Sequence, residues 1–194
     1  MNDPDMSAAL QTTIQYRIDA ENCLIYVNDR WDQFAEENDG RGLALVDVLG
    51  TSLFSYIADD TILQLYMQLV VLARQGRPAT FNYRCDSPKA RRRFEMNIHA
   101  LDAGEVEFSS TLLENEPRAE VLLLDRRQPR NEQFLRVCSW CQRIRVGDAW
   151  LSAEEAVEKL DLMEEATMPV LTHGICETCH DEMMATIARL RTDE

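Results

Sequence analysis

The sequence predicts an α+β fold: a five-stranded antiparallel sheet with helices on one face, followed by a small helical module holding a metal ion. Three observations predict it. Alternating and helical runs follow one another in the order β-β, short helices, one long helix, β-β-β, which an antiparallel sheet covered on one side satisfies. A charged, proline-containing run, Asp125 to Glu132, divides the chain into residues 10–125 and 126–194. Beyond that run lie two Cys-x-x-Cys pairs, Cys138-Ser-Trp-Cys141 and Cys176-Glu-Thr-Cys179.

Thr13 to Val27 alternates in two short runs. Ile14, Tyr16 and Ile18 point one way, Asp19-Ala20-Glu21-Asn22 turns, and Leu24 to Val27 returns, which reads as a hairpin. Asn28 and Asp29 stop the second strand and are candidate caps for a helix carrying Trp31, Phe34 and Ala35. Gly40 and Gly42 break that pattern, and Gly50 to Ile57 reads as a compact turn or short helix. Thr61 to Gln75 is the strongest helix. Ile62, Leu65, Leu69 and Leu72 recur at helical spacing behind Asp59 and Asp60, and Gly76 and Pro78 end it. Three strands follow, at Ala79 to Arg84, Arg92 to Leu101 and Val106 to Leu113. Asp86-Ser87-Pro88 and Asp102-Ala103-Gly104 supply the turns between them. In the second half, Ser152 three residues before Glu155 forms a capping box for a helix to about Leu162, Pro169 ends any continuation, and Asp181 to Arg191 is a final amphipathic helix.

The cysteines are the richest chemical signal. A Cys-x-x-Cys bite places two thiolates of one turn on one ion, and two bites supply the four sulfurs that tetrahedral Zn²⁺ takes. The intervening 34 residues, Gln142 to Ile175, exceed the zinc-ribbon spacing of roughly 15–20. They have room for a helix while still bringing their ends together. Cys138, Cys141, Cys176 and Cys179 are therefore the expected ligands of one structural Zn²⁺ per chain. In an appendage with little core of its own, such an ion can supply about 10–16 kcal/mol of folding free energy. Four thiolates also suit an iron–sulfur cluster, and paired thiols suit a redox switch that loses its metal on oxidation. Cys176-Glu-Thr-Cys179-His180 is formally a c-type haem string.

Composition narrows the rest. With 20 Lys and Arg against 34 Asp and Glu, the net charge is −14. That disfavours direct binding to nucleic-acid phosphate or anionic membrane, although Lys89-Ala90-Arg91-Arg92-Arg93 and Arg126-Arg127-Gln128-Pro129-Arg130 are local basic runs. No apolar run is long enough to span a bilayer, and the acidic start, Met1 to Asp5, lacks the apolar core of a secretory signal. The expected compartment is the cytoplasm, where metal-bound thiols outnumber disulfides. No Gly-rich phosphate loop, Ser-His-Asp set or kinase string points to an enzyme.

Two stretches carry a resemblance. Ile25-Tyr26-Val27-Asn28-Asp29-Arg30-Trp31-Asp32-Gln33-Phe34-Ala35, Val48-Leu49-Gly50-Thr51-Ser52-Leu53-Phe54 and the Arg74 to Pro78 step resemble a PAS domain over about Thr13 to Leu124. Cys138-Ser-Trp-Cys141, Trp150 and Thr172-His173-Gly174-Ile175-Cys176 are similar to a module that follows such domains in bacterial signalling proteins. The resemblance implies a sensory or regulatory role through protein partners. It also implies a homodimer through the sheet face, coupling at the Asp125 to Glu132 linker, and a cavity able to take haem or a small molecule. His99, on the polar side of its strand, is expected at the surface rather than as a haem ligand. Cys23 and Cys85 are expected as buried structural thiols, and Trp31 and Phe34 as core. Met183 and Met184 are read as helix packing or a dimer seam. His180 is expected beside the metal site or on the helix surface, and His173 as a ligand only if it displaces a cysteine.

Overall fold

The computed structural model describes residues 13–37 and 44–192; the breaks expected at Gly40 and Gly42 lie outside them. The alternating N-terminal runs form β1 (Thr13–Ile18) and β2 (Leu24–Val27), an antiparallel hairpin. Its turn is fastened by Asp19, whose Oδ1 accepts the backbone N–H groups of Glu21 and Cys23, while Asn22 takes the left-handed conformation (φ 67°). Asn28 does not cap the next helix with its side chain. It ties to β1 instead, accepting from the Gln15 N–H and donating to the Thr13 carbonyl. Helix α1 (Asp29–Glu37), one turn of α2 (Leu45–Val48) and a 3₁₀ turn (Leu53–Tyr56) then lead to α3 (Asp60–Arg74). Asp59 caps α3, its Oδ1 accepting the Ile62 N–H at 3.0 Å. Ile62, Leu65, Leu69, Val70, Leu72 and Ala73 form its buried face, as their spacing requires.

Strands β3 (Ala79–Arg84), β4 (Ala90–Ala100) and β5 (Val106–Pro117) complete a five-stranded antiparallel sheet in the order β2-β1-β5-β4-β3. Along β4 the period-two pattern is realised, with Phe94, Met96 and Ile98 buried and Glu95, Asn97 and His99 on the outer face. The Asp102–Gly104 turn uses left-handed Ala103 and Gly104 (φ 57° and 80°).

Two sequence expectations for the second half are corrected. It is not a small helical module. β6 (Arg130–Cys138), β7 (Ile144–Val146), β8 (Ala149–Leu151) and β9 (Met168–Gly174) form a four-stranded sheet in the order β8-β7-β6-β9, with β6 and β9 parallel. Helices α4 (Ala153–Lys159) and α5 (Glu177–Thr192) accompany it, α4 opening with the capping box of Ser152 and Glu155. Nor is Asp125 to Glu132 a free linker. Asp125 is buried and paired with Arg127, and Arg130 donates to the carbonyls of Leu123, Asp125 and Pro169. Backbone carbonyls at the head of β9 and before β6 thus clamp the crossing chain, and β6 starts inside the run.

The two halves share a core. Cys138, Trp140, Cys176, Cys179, Met183 and Ile187 belong to one buried cluster with Ile18, Leu69, Ile98 and Phe108 of the first sheet. A smaller cluster around Leu123, Val137, Ile144, Ala156 and Met168 lies beneath the second sheet. No helix among the described residues is long and apolar enough to cross a membrane.

Candidate metal centre

β6 ends at Cys138, and the chain then turns through Ser139, Trp140 and Cys141. The turn closes with the Gln142 N–H on the Cys138 carbonyl (2.9 Å) and Gln142 in the left-handed conformation (φ 59°). The other pair stands at the head of α5, where the His180 N–H reaches the Cys176 carbonyl (2.9 Å) and starts the helical ladder. Parallel pairing of β6 with β9 sets Cys138 opposite Gly174 and so brings the two bites together.

The sulfurs of Cys138, Cys141, Cys176 and Cys179 all lie within 4.8 Å of one another. With Zn–S bonds of 2.3 Å, the edge of a tetrahedral ZnS₄ site is about 3.8 Å; the Cys141 and Cys176 sulfurs are 3.8 Å apart. The donor set therefore fits a four-thiolate metal site. Backbone donors complete it, the Cys176 N–H pointing at the Cys138 sulfur at 3.4 Å. A hydrogen bond from Cys141, joined by the N–H groups of Cys141, Cys176 and Trp140, pulls the Cys138 thiol down to about 4 against the effect of burial. Cys141 is pushed up by the same bond to Cys138 and by burial, and Cys179 by burial and the Cys138 charge. A thiolate at Cys138 is thus favoured, with Cys141 and Cys179 held protonated beside it. Zn²⁺ bound by these four side chains would supply the positive charge that lets all four ionise together. The head of the 16-residue α5 adds a favourable dipole for thiolates.

The four sulfurs are not equally sheltered. Cys138, Cys176 and Cys179 are buried, whereas Cys141 is half-buried. It lines a surface concavity of about 400 Å³ with Arg84, Asp86, Arg143 and Trp150.

Sequence reasoning missed what anchors this centre to the first sheet. Trp140, inside the first bite, is 6% exposed. Its indole packs against Tyr66 of α3 and Phe81 of β3, with ring centroids 5.9 and 6.0 Å away. Its carbonyl accepts the Arg84 N–H at 2.7 Å. Arg136 of β6 donates to Asp59, the cap of α3, and its guanidinium passes directly over Gly174. Trp150 donates its indole N–H to Glu177 at 2.8 Å, fastening β8 to the first turn of α5. An indole within a Cys-x-x-Cys turn is a signal that could have been read from the sequence. The Asp59–Arg136 pairing had none.

The remaining candidates fall outside the cluster. His180 is half-buried and faces Asp181, its Nδ1 3.3 Å from Oδ1, and His173 is exposed on β9. His99 lies on the outer face of the first sheet, 3.7 Å from Glu107, which also accepts from Arg17 at 2.7 Å. Cys23 and Cys85 are half-buried rather than fully buried, because each sits at a strand end beside a turn. Trp31 is half-buried and packs on the first core edge-on to Tyr16, and Phe34 is half-buried, edge-on to Phe94, because their helix lies across the sheet without burying a full face. Beneath the sheet, Tyr83 hydrogen-bonds Ser110 at 2.5 Å, and burial raises Tyr16 and Tyr83 and pushes Tyr66 up to about 12. The arginines of the first basic run are engaged within the molecule: Arg91 pairs with Glu154, Arg93 with Glu114, and Arg92 lies over Phe34 and Phe94. Comparison with known protein families gives no match for this chain, and comparison with curated proteins gives none.

Proposed function

We propose that the chain is a cytoplasmic sensory or regulatory protein of a signalling pathway, built from a PAS-like half and a half organised by one structural Zn²⁺, and that it acts by binding protein partners rather than by catalysis. The five-stranded antiparallel sheet with helices across one face supports the PAS-like reading. The observation that carries the proposal is Trp140. It belongs to the metal-binding turn yet is buried against α3 and β3, so a change on either side bears on the other. Coupling through this contact replaces coupling through a flexible linker.

Elemental analysis and an absorbance scan of one sample test the metal. One zinc per chain with a featureless visible spectrum is expected, and Cys138→Ser or Cys179→Ser should abolish stoichiometric zinc. Iron with visible bands, or full zinc retention in either variant, would overturn the assignment. The half-buried position of Cys141 favours a second reading, a redox switch at the same centre. Zinc that stays bound under a mild hydroperoxide dose supports the structural role. Zinc released with a disulfide at Cys141 supports the switch.

A further inference from the structure

The solvent-facing stripe of α3 is Asp60, Gln64, Met67, Val71 and Gln75, spaced as one helical face. Between Asp60 and Arg74 this helix carries no charged side chain, although 28% of the chain is charged. Met67 and Val71 are 41% and 52% exposed. With Gln64, Gln68 and Arg191 of α5 they line an open groove of about 390 Å³.

Helix α5 runs alongside α3 in the same direction. At the head, Asp59 is tied to Arg136 over Gly174, just before α5. At the tail, Arg191 donates to Gln68 and its carbonyl accepts from Arg77. Both helices therefore present the same order to solvent. Asp60 and Asp181 stand at the head and the uncharged Gln64, Met67, Val71, Met184 and Ala188 in the middle; Arg77 stands at the tail, while the Arg191 guanidinium reaches back to Gln68 beside the middle. Arg74, Arg77, Arg189 and Arg191 have no carboxylate partner among the described residues; their guanidinium groups bond carbonyls, a hydroxyl or an amide.

We propose that this α3–α5 face binds a second copy of the chain across a twofold axis that sets the two α3 helices antiparallel. A twofold contact needs a self-complementary patch, and this one meets the condition. Rotation about the midpoint of Met67 and Val71 lays Asp60 of one copy beside Arg77 of the other and brings Met67 and Val71 together at the centre. The opposed helix dipoles add to the fit. The sheet face expected from the sequence to associate is a poorer choice, since it presents Gln15, Arg17, Glu95, Asn97, His99 and Ser109, and its exposed Tyr26 ring lies under the Arg17 guanidinium. The inference rests on the helices and is independent of the metal assignment.

Sedimentation velocity on the full zinc-loaded chain, into the tens of micromolar, tests it. A dimer is expected that weakens as salt rises. Val71→Arg should weaken it by about tenfold or more, and Asp60→Arg or Arg77→Glu alone by about threefold to tenfold. The double variant Asp60→Arg/Arg77→Glu should recover most of the loss, a result that misfolding would not produce. A monomer throughout, or a dimer indifferent to Val71→Arg but broken by Ser109→Arg on the sheet face, would overturn the proposal.

Discussion

At Gly174 a Cβ would come within 1.9 Å of Nε of Arg136. The guanidinium would have to move, and with it the ion pair that joins β6 to the cap of α3. Gly174→Ala should therefore cost about 1 kcal/mol, the scale of a partly exposed ion pair. In an Arg136→Ala background the same change should cost close to nothing. A double-mutant cycle by urea denaturation checks this, and equal losses in both backgrounds would show that the glycine matters for another reason. The four cysteines were readable at this scale because their spacing encodes a chemistry. Gly174, Arg136 and Asp59 were not, because their relation exists only after β9 has paired with β6 and Arg136 has reached α3.

Among the elements, α3 and β4 announce themselves through local periodicity: Leu65 and Leu69 recur on one helical face, and Phe94, Met96 and Ile98 on one side of a strand. The capping box at Ser152 is equally local. β6 is different. Its middle residues, Glu132 to Phe134, are exposed, and its parallel partner β9 lies more than thirty residues on. No local pattern of burial marks it, and its charges read as a linker. The residues before it also store a pH dependence. The Arg127 side chain hydrogen-bonded to Asp125 holds that carboxyl below its usual range, against burial. Its stabilising contribution is complete above the unfolded value of about 3.9 and disappears as pH falls through the lower folded value. Asp125→Asn should then be less stable than the parent at neutral pH, with the gap closing in acid. Loss of metal in acid affects both proteins alike, so the difference between their urea midpoints across pH is the quantity to follow. A gap that stays constant into acid would contradict the assignment.

Across the whole molecule, one buried cluster runs from Ile18 and Phe108 to Cys179 and Ile187. Metal binding at the head of α5 should therefore be felt in α3. Stripping zinc with a chelator should speed amide exchange not only in α5 and the two cysteine turns but also in the Tyr66 to Leu72 stretch of α3. Protection of α3 unchanged by metal removal would mean that the halves hold together without it.

Strand β3 ends the row of five strands, and the Arg84 N–H is taken by the Trp140 carbonyl while the Trp140 ring covers Phe81. When the cysteine turn loosens, a strand with open backbone donors and a bare aromatic is left at the rim of a sheet. That is the template on which other chains add strands. The four-cysteine half thus covers the rim of its neighbour's sheet. The metal-stripped chain should begin to scatter light at concentrations where the loaded chain stays clear, and the recruitment would start at Tyr83 and Arg84.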